Sequence, residues 1–374
     1  MTVLVAASSH ATDALRLTPR LELHVPTAIA RMHELAGAFP GAGVRYAVKA
    51  NPHPALLRAL AAAGCGFDVA SPAEVGAALA AGSRPTDLIH SNPIARRDHV
   101  AACALMGVRR YVVDSAQEVA KLADAAPGAE VLVRILTSGA GSDWPLSRKF
   151  GCSVDQAIDL ALAAAMLGLD PIGVAFHVGS QQRDPWAWAT PLVAAAEVFE
   201  RLLVEGISLH VVDLGGGFPA AHEGFHPGLG EYGRVIRGLV ADTFTDRAPE
   251  LLLEPGRGIV GDAGVLVSRV VAVVDRGERR WVHLDAGVFT GLVETLDEAI
   301  RYCLETDVDG PVGPCVLAGP TCDSADVLYE KGPVDLPIGL AEGDEVRFRS
   351  AGAYTTCYST VGFNGFEPLP TVLV

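Results

Sequence analysis

The chain has 374 residues, half of them hydrophobic, and a formal net charge of −15 with no block of Lys or Arg. That is enough for a large core and more than one domain, and the acidic balance argues against nucleic acid or an anionic membrane as partner while allowing a cationic small substrate. Seven cysteines, odd in number and without a CxxC pair, argue against a disulfide framework or a metal site and fit a reduced, cytoplasmic protein.

The first residues lack a basic stretch ahead of an apolar core, so no signal peptide is expected, and no charge-free apolar run has membrane-spanning length. Residues 1–25 read as a lead-in that joins the second domain, ending in a short alternating strand at Leu21, Leu23 and Val25. Then β-rich runs alternate with Ala- and Leu-rich helical stretches. Strands are expected at Val44–Val48, Gly66–Ala70, Leu88–Ser91, Arg110–Val113, Val131–Leu136, Gly173–Val178, Leu209–Leu214 and Leu251–Glu254. Helices are expected between them at Pro54–Ala63, Pro72–Ala81, Ala116–Ala125, Val154–Leu167 and Pro191–Val204. Eight βα units over residues 26–264 give an α/β TIM barrel. The rival, a doubly wound open sheet, would not usually need eight units and finds no GxGxxG after the first strand.

From residue 265 to 374 the pattern turns to runs separated by Gly, Pro and Asp: Val265–Val274, Trp281–Asp285, Val312–Ala318, Val327–Tyr329 and Glu345–Ala351. These read as a second, mostly antiparallel β domain with one helical candidate, Leu296–Cys303. The Gly- and Asp-containing stretch 137–147 reads as a loop.

Catalytic groups of a TIM barrel come from the C-terminal ends of its strands. Those ends carry Lys49, Asp68, Ser91 with Asn92, Asp114, Arg134, His177 with Ser180, Gly215–Gly217, and Glu254 with Arg257. Lys49, in VRYAVKANP, stands where a strand leaves the core. A partly desolvated amine is suited to capturing a carbonyl as a Schiff base, and the plainer reading is a lysine snorkelling at the rim. Gly215, Gly216 and Gly217 after the apolar run HVVDL allow backbone N–H groups to converge on a phosphate, or make a tight turn. Glu254 ends the run LLLE, where a carboxylate needs a cation: a protonated ring nitrogen, or Arg257 as a structural partner. His177 is a flat imidazole for a ring face, or a satisfied core histidine. Together these groups describe a pyridoxal 5'-phosphate site with no metal.

The blocks YAVKANP, FDVASPAE, FHVGSQ, DLGGGFP, EPGRGIV, GPTCDSAD and GAYTT followed by FNGF resemble, in order and over about residues 20–374, the signature blocks of the type III, alanine-racemase-fold pyridoxal phosphate decarboxylases, nearest to ornithine decarboxylase. The resemblance implies that Lys49 carries the cofactor covalently, His177 stacks on its ring and Glu254 binds its pyridinium. Ser180, Gly215–Gly217, Arg257 and Tyr354 would hold the phosphate, with Asp68, Glu74 and Arg134 as the supporting network. It also implies a head-to-tail homodimer with shared active sites, each borrowing Cys322, Asp323 and Phe363 from its neighbour. Cys322 would be the general acid, and Asp323 and Asp285 would receive a distal ammonium of the amino acid substrate. For Asp285 a plain turn residue is the alternative.

The reading is therefore a decarboxylase of a basic L-amino acid, L-ornithine giving putrescine and CO2, in a cytoplasmic homodimer. Alternatives are L-lysine, arginine or another diamino acid, since one methylene is typically worth only ~1 to 3 kcal/mol. An alternative of another class is a catalytically inactive binding or regulatory protein. Two segments depart from the family pattern: QQRDP after HVGS, where many relatives have a small residue directly after the serine, and the loop SGAGSDWPLSRKFG, longer than in the animal enzymes and like the bacterial form, which leaves its lid function and the role of Lys149 open.

Overall fold

Eight short runs, Gly43–Ala47, Gly66–Val69, Leu88–His90, Arg110–Val113, Glu130–Arg134, Asp170–Ala175, Val211–Asp213 and Glu250–Leu253, form parallel strands in the computed structural model, which describes residues 17–145 and 148–374. They pair in chain order, and the last returns to the first where Leu252 and Leu253 lie beside Gly43 and Val44. The sheet is a closed barrel, as the alternation of elements implies. Strands buried on both faces must be apolar nearly throughout, and Ile89, Val112, Leu132, Ile172, Val211 and Leu252 fill the interior as one cluster.

Helices separate the strands because the intervening stretches carry both an apolar face and a start signal. Pro72–Ala80 begins with Pro after Ser71, whose hydroxyl accepts from Glu74 N, and Val154–Met166 opens with a capping box between Ser153 and Gln156. This unit comprises Ala28–Pro219 and Phe225–Ile259.

The other unit contains residues 17–27, 220–224 and 260–374 of the described chain. Its sheet runs Leu304–Glu305, Glu345–Phe348, Gly264–Arg276, Arg279–Leu284, Val312–Ala318 and Val327–Leu328, mostly antiparallel, with Trp281–His283 parallel to Val316–Ala318. Arg20–Leu23 pairs antiparallel with Gly264–Val267 and parallel with Thr371–Leu373. Leu21, Leu266, Leu284, Leu317, Val346 and Phe348 belong to one hydrophobic core cluster of this unit.

Three expectations need correction. Leu296–Cys303 is not a helix: Val293–Glu298 is a 3-10 stretch in which Asp297 and Glu298 adopt left-handed backbone at φ 54° and 59°. Beyond it, fully buried Ile300 and Tyr302 alternate with half-buried Arg301 and Cys303, a period of two that leads into Leu304–Glu305. Val25 is the first residue of helix Val25–Ala38 and not the end of a strand, since Pro26 favours a helix start. The loop around 137–145 holds a strand, Ser142–Trp144, paired antiparallel with Ser180–Gln182. Residues 1–16 of the expected lead-in, and 146–147 of the loop, lie outside the described residues. Among the described residues no helix is long and apolar enough to cross a membrane.

Candidate active site

The first barrel strand stops at Ala47, and Val48–Ala50 turns as a 3-10 segment before extended Asn51 and Pro52. The Tyr46 hydroxyl donates to Asn51 O at 3.1 Å, so the turn is fastened from beneath. Lys49 therefore leaves the barrel at its mouth, half exposed, and its Nζ donates to Asp68 Oδ2 at 2.5 Å. Asp68, at the end of the second strand, is buried, and its Oδ1 has no hydrogen-bond partner among the described residues. Glu74 accepts from Ala70 N at 2.6 Å. Burial, with Asp68 nearby, raises its carboxyl above the usual range.

A second acidic group follows the strand that neighbours the Lys49 strand in the barrel. Glu254 follows the last strand, receives the Ser91 hydroxyl, and fixes its own backbone N on Gly215 O at 2.9 Å. Burial pushes its carboxyl well up, and Asp213 and Asp68 push in the same direction against Lys49 and Ser91. Asp213 is likewise raised by burial, although Gly215 N donates to its Oδ1 at 2.9 Å and the Glu254 carboxyl acts the other way through a side-chain hydrogen bond. Two buried acids so placed repel each other when ionised, and a cation against them would let both ionise. Asp213 is the residue that sequence reasoning missed. The signal was a carboxylate inside the otherwise apolar run HVVDL.

Arg134, half-buried at the end of the fifth strand, stands over the Phe150 ring at 5.3 Å. Burial lowers its pKa, while Glu254, Asp114, Asp213 and Asp68 act the other way, so the guanidinium keeps its charge. His177 lies just past the sixth strand. Its Nδ1 accepts from Gly179 N at 3.0 Å, and its carbonyl accepts from the Thr137 hydroxyl at 2.5 Å. Burial, with Arg134 and Lys49 close by, pushes the imidazole down to about 3, so the ring is neutral and flat.

Gly215 and Gly217 have φ of 68° and 105°. A Cβ on Gly215 would come 2.2 Å from Phe176 O, and one on Gly217 2.6 Å from Gly179 O. Only glycine fits this turn, and its backbone forms a concavity without side chains. Arg257 is buried beside it and its Nε donates to Ser180 Oγ at 3.3 Å. The barrel thus brings Lys49, Asp68, Arg134, His177, Gly215–Gly217 and Glu254 to strand ends at one mouth, with Glu74, Ser180 and Arg257 in the segments that follow those ends.

The remaining expected residues belong to the β unit. Cys322 and Asp323 are exposed, and Cys322 N donates to Asn364 Oδ1 at 3.0 Å, which joins this loop to the turn Phe363–Gly365. Phe363 packs its ring 4.9 Å from that of Phe289. Buried Asp326 pins the loop, accepting from Val288 N, Thr321 N and the Thr321 hydroxyl at 2.7, 3.0 and 2.7 Å. Tyr354 has a left-handed backbone, φ 57°, and its ring lies 5.8 Å from Tyr358. Asp285 Oδ1 accepts from Ser268 Oγ and Arg269 N, each at 2.8 Å, which fits the structural reading of that residue.

The barrel mouth offers an amine at its rim, two acids in want of a cation, a neutral flat ring and a side-chain-free turn backed by arginine. A planar aromatic cation with an aldehyde and an anionic tail matches each of these, and pyridoxal phosphate has that form. A barrel with such a mouth is of the class that does its chemistry through that cofactor. The family model described as the pyridoxal binding domain of pyridoxal-dependent decarboxylases matches residues 26–261. The lysine/ornithine decarboxylase of Selenomonas ruminantium is 36% identical over 336 residues, covering 90% of this chain and 84% of its own. A crystal structure of SrLDC in complex with PLP and cadaverine superposes with a TM-score of 0.88 at 34% identity, covering 100% of this chain and 95% of that one. The lysine/ornithine decarboxylase of Vibrio vulnificus complexed with putrescine gives 0.86 at 31% identity, covering 100% and 99%. The chain belongs to the pyridoxal-dependent decarboxylases and is a carboxy-lyase that works with pyridoxal phosphate.

Proposed function

We propose that this decarboxylase of basic amino acids converts L-ornithine to putrescine and CO2. When bound, pyridoxal phosphate supplies an electron sink for the pair released as the carboxylate leaves. Lys49 would hold it covalently through Nζ, with Asp68 receiving the amine's hydrogen bond. Glu254, supported by Ser91 and Asp213, would keep the proton on the ring nitrogen, and His177 would lie on the ring face. The N–H groups of Gly215–Gly217, with Ser180, Arg257 and Tyr354, would take the phosphate. The Cys322 Sγ proton is the one delivered to the substrate Cα after CO2 departs. Asp323, next to it and exposed, would receive the distal ammonium, and Phe363 would line the side-chain path.

The observation that carries the reading is the Asp213–Glu254 acid pair on the two strands beside that of Lys49, because it needs a ring cation and an amine-bound aldehyde at one mouth. Lysine is the second reading, favoured by the lysine/ornithine names of the similar Selenomonas and Vibrio enzymes. Comparing kcat/KM for ornithine, lysine, diaminobutyrate and arginine decides it, and a preference for lysine overturns the ornithine assignment. The exposure of the loop bearing Cys322 and Asp323 supports a homodimer in which each barrel is completed by its neighbour's β unit. Mixing Lys49→Ala with Cys322→Ala subunits then restores part of the activity; no rescue means each site uses one chain.

A further inference from the structure

The segment after His177 runs HVGSQQRDP, and its second glutamine lies where three segments of the barrel unit meet. Gln182 is fully buried. Its Nε2 donates to Ala140 O at 2.9 Å and to Val178 O at 3.0 Å, and its Oε1 accepts from Asp184 N at 3.2 Å. Two carbonyls on one side and an N–H on the other fix which end of the amide is which. Its backbone is equally engaged: Gln182 N donates to Gly217 O at 2.8 Å, and Gln182 O accepts from the Tyr232 hydroxyl at 2.6 Å. One residue thus holds the loop 137–145, the segment that carries His177 and Ser180, and the glycine turn.

Around it the contacts are close. Ser142 pairs with Gln182 and Trp144 with Ser180, and Arg183 clasps Asp143 through two bonds of 2.8 and 2.5 Å. Behind the turn, Phe218 stacks on Trp188 at 5.4 Å with Tyr232 edge-on to both, and Trp188 Nε1 donates to Leu214 O. The turn cannot recede into that cluster, so its position follows Gln182 and the loop in front.

We propose that Gln182 is a positioning residue of the cofactor cradle, coupling order in loop 137–145 to occupation of the Gly215–Gly217 turn. It rests on the reading of that turn as the phosphate cradle. Coupling of this kind is reciprocal: a bound phosphate group steadies the loop, and a steady loop tightens the cradle.

The test uses the full chain, loaded with pyridoxal phosphate or stripped of it, and reads amide hydrogen exchange of peptides spanning 137–145 together with the cofactor Kd. In the wild type the cofactor slows exchange of the loop. In Gln182→Ala that slowing is largely lost and the Kd rises about tenfold, within the range ordinary for coupled sites. Gln182→Glu, which accepts where two carbonyls require a donor, shows the same defect. Asp143→Asn, which opens the loop's outer clasp alone, gives a smaller change in the same direction. Melting curves of the stripped variants isolate a folding defect: a variant that melts lower but keeps wild-type Kd and wild-type slowing overturns the proposal. Loop exchange indifferent to cofactor in the wild type overturns it as well. A wild type that binds no pyridoxal phosphate at all removes the cradle reading itself.

Discussion

The barrel mouth and the Cys322 loop are built on opposite terms. At the mouth, Asp68 and Asp213 are buried and Glu254 half-buried acidic groups, each at the end of a strand that cannot move without disturbing the ring. On the loop, Cys322 and Asp323 are exposed, and their placement depends on hydrogen bonds that the loop's N–H groups donate to Asp326 and Asn364. Buried groups can be tuned in pKa and hold a cofactor in fixed register; exposed ones stay available to whatever approaches them. Substitutions at the mouth should therefore alter cofactor state and proton binding, and those on the loop should alter turnover and substrate affinity alone.

The largest effect is expected at Lys49. Lys49→Ala should lose on the order of 10³-fold or more in kcat/KM, and borohydride reduction with peptide mapping should find no pyridoxyl tag. A tag at another position would break the assignment of the mouth.

Next comes the acid pair. Glu254→Gln should lower kcat by about 10²-fold. It should also change how the cofactor-stripped protein responds to pH. Both carboxyls have folded-state values raised above the ordinary range near 4. Their protons are held in the folded chain and released in the unfolded one, so stability present at low pH is lost as pH rises through the raised values. Wild-type Tm should fall relative to Glu254→Gln from about pH 4 upward, through and beyond the region near 6 to which Asp213 is shifted. Parallel curves would show that the pair carries no such load.

Cys322→Ala should cost about 10²-fold in kcat while leaving the pyridoxal phosphate Kd unchanged, which sharpens the contrast between loop and mouth. Asp323→Ala should instead raise KM for ornithine by about tenfold, as expected when a charged hydrogen bond is lost. The smallest effect is expected at Asp285. Asp285→Asn should leave kcat/KM unaltered and lower stability by about 1 kcal/mol, read as a shift of a few degrees in Tm. A raised KM there would return Asp285 to the substrate.

The barrel was legible because its strands are apolar on both faces and alternate with capped helices, so each announces itself in its own stretch of sequence. The candidate site was legible to the extent that its proposed members lie at strand ends: Lys49, Glu254 and the glycine turn each stand next to a clear run. Asp213 escaped because it lies inside a run, where its company is read as strand. Gln182 escaped because its worth lies in partners at 140, 178 and 217, which no local pattern joins. Leu296–Cys303 misled because its composition suits a helix, while tertiary burial of Ile300 and Tyr302 imposes a period of two.

The pairing of Arg20–Leu23 with Gly264–Val267 and Thr371–Leu373 also bears on biosynthesis. All eight barrel strands lie between residues 43 and 253, so the ring can close while later segments are still in the ribosome. Leu21 and Leu23, both fully buried in the finished protein, must wait for partners synthesised more than half a chain later. During that interval they form an unpaired, sticky edge, the kind of surface for which a nascent chain depends on chaperones.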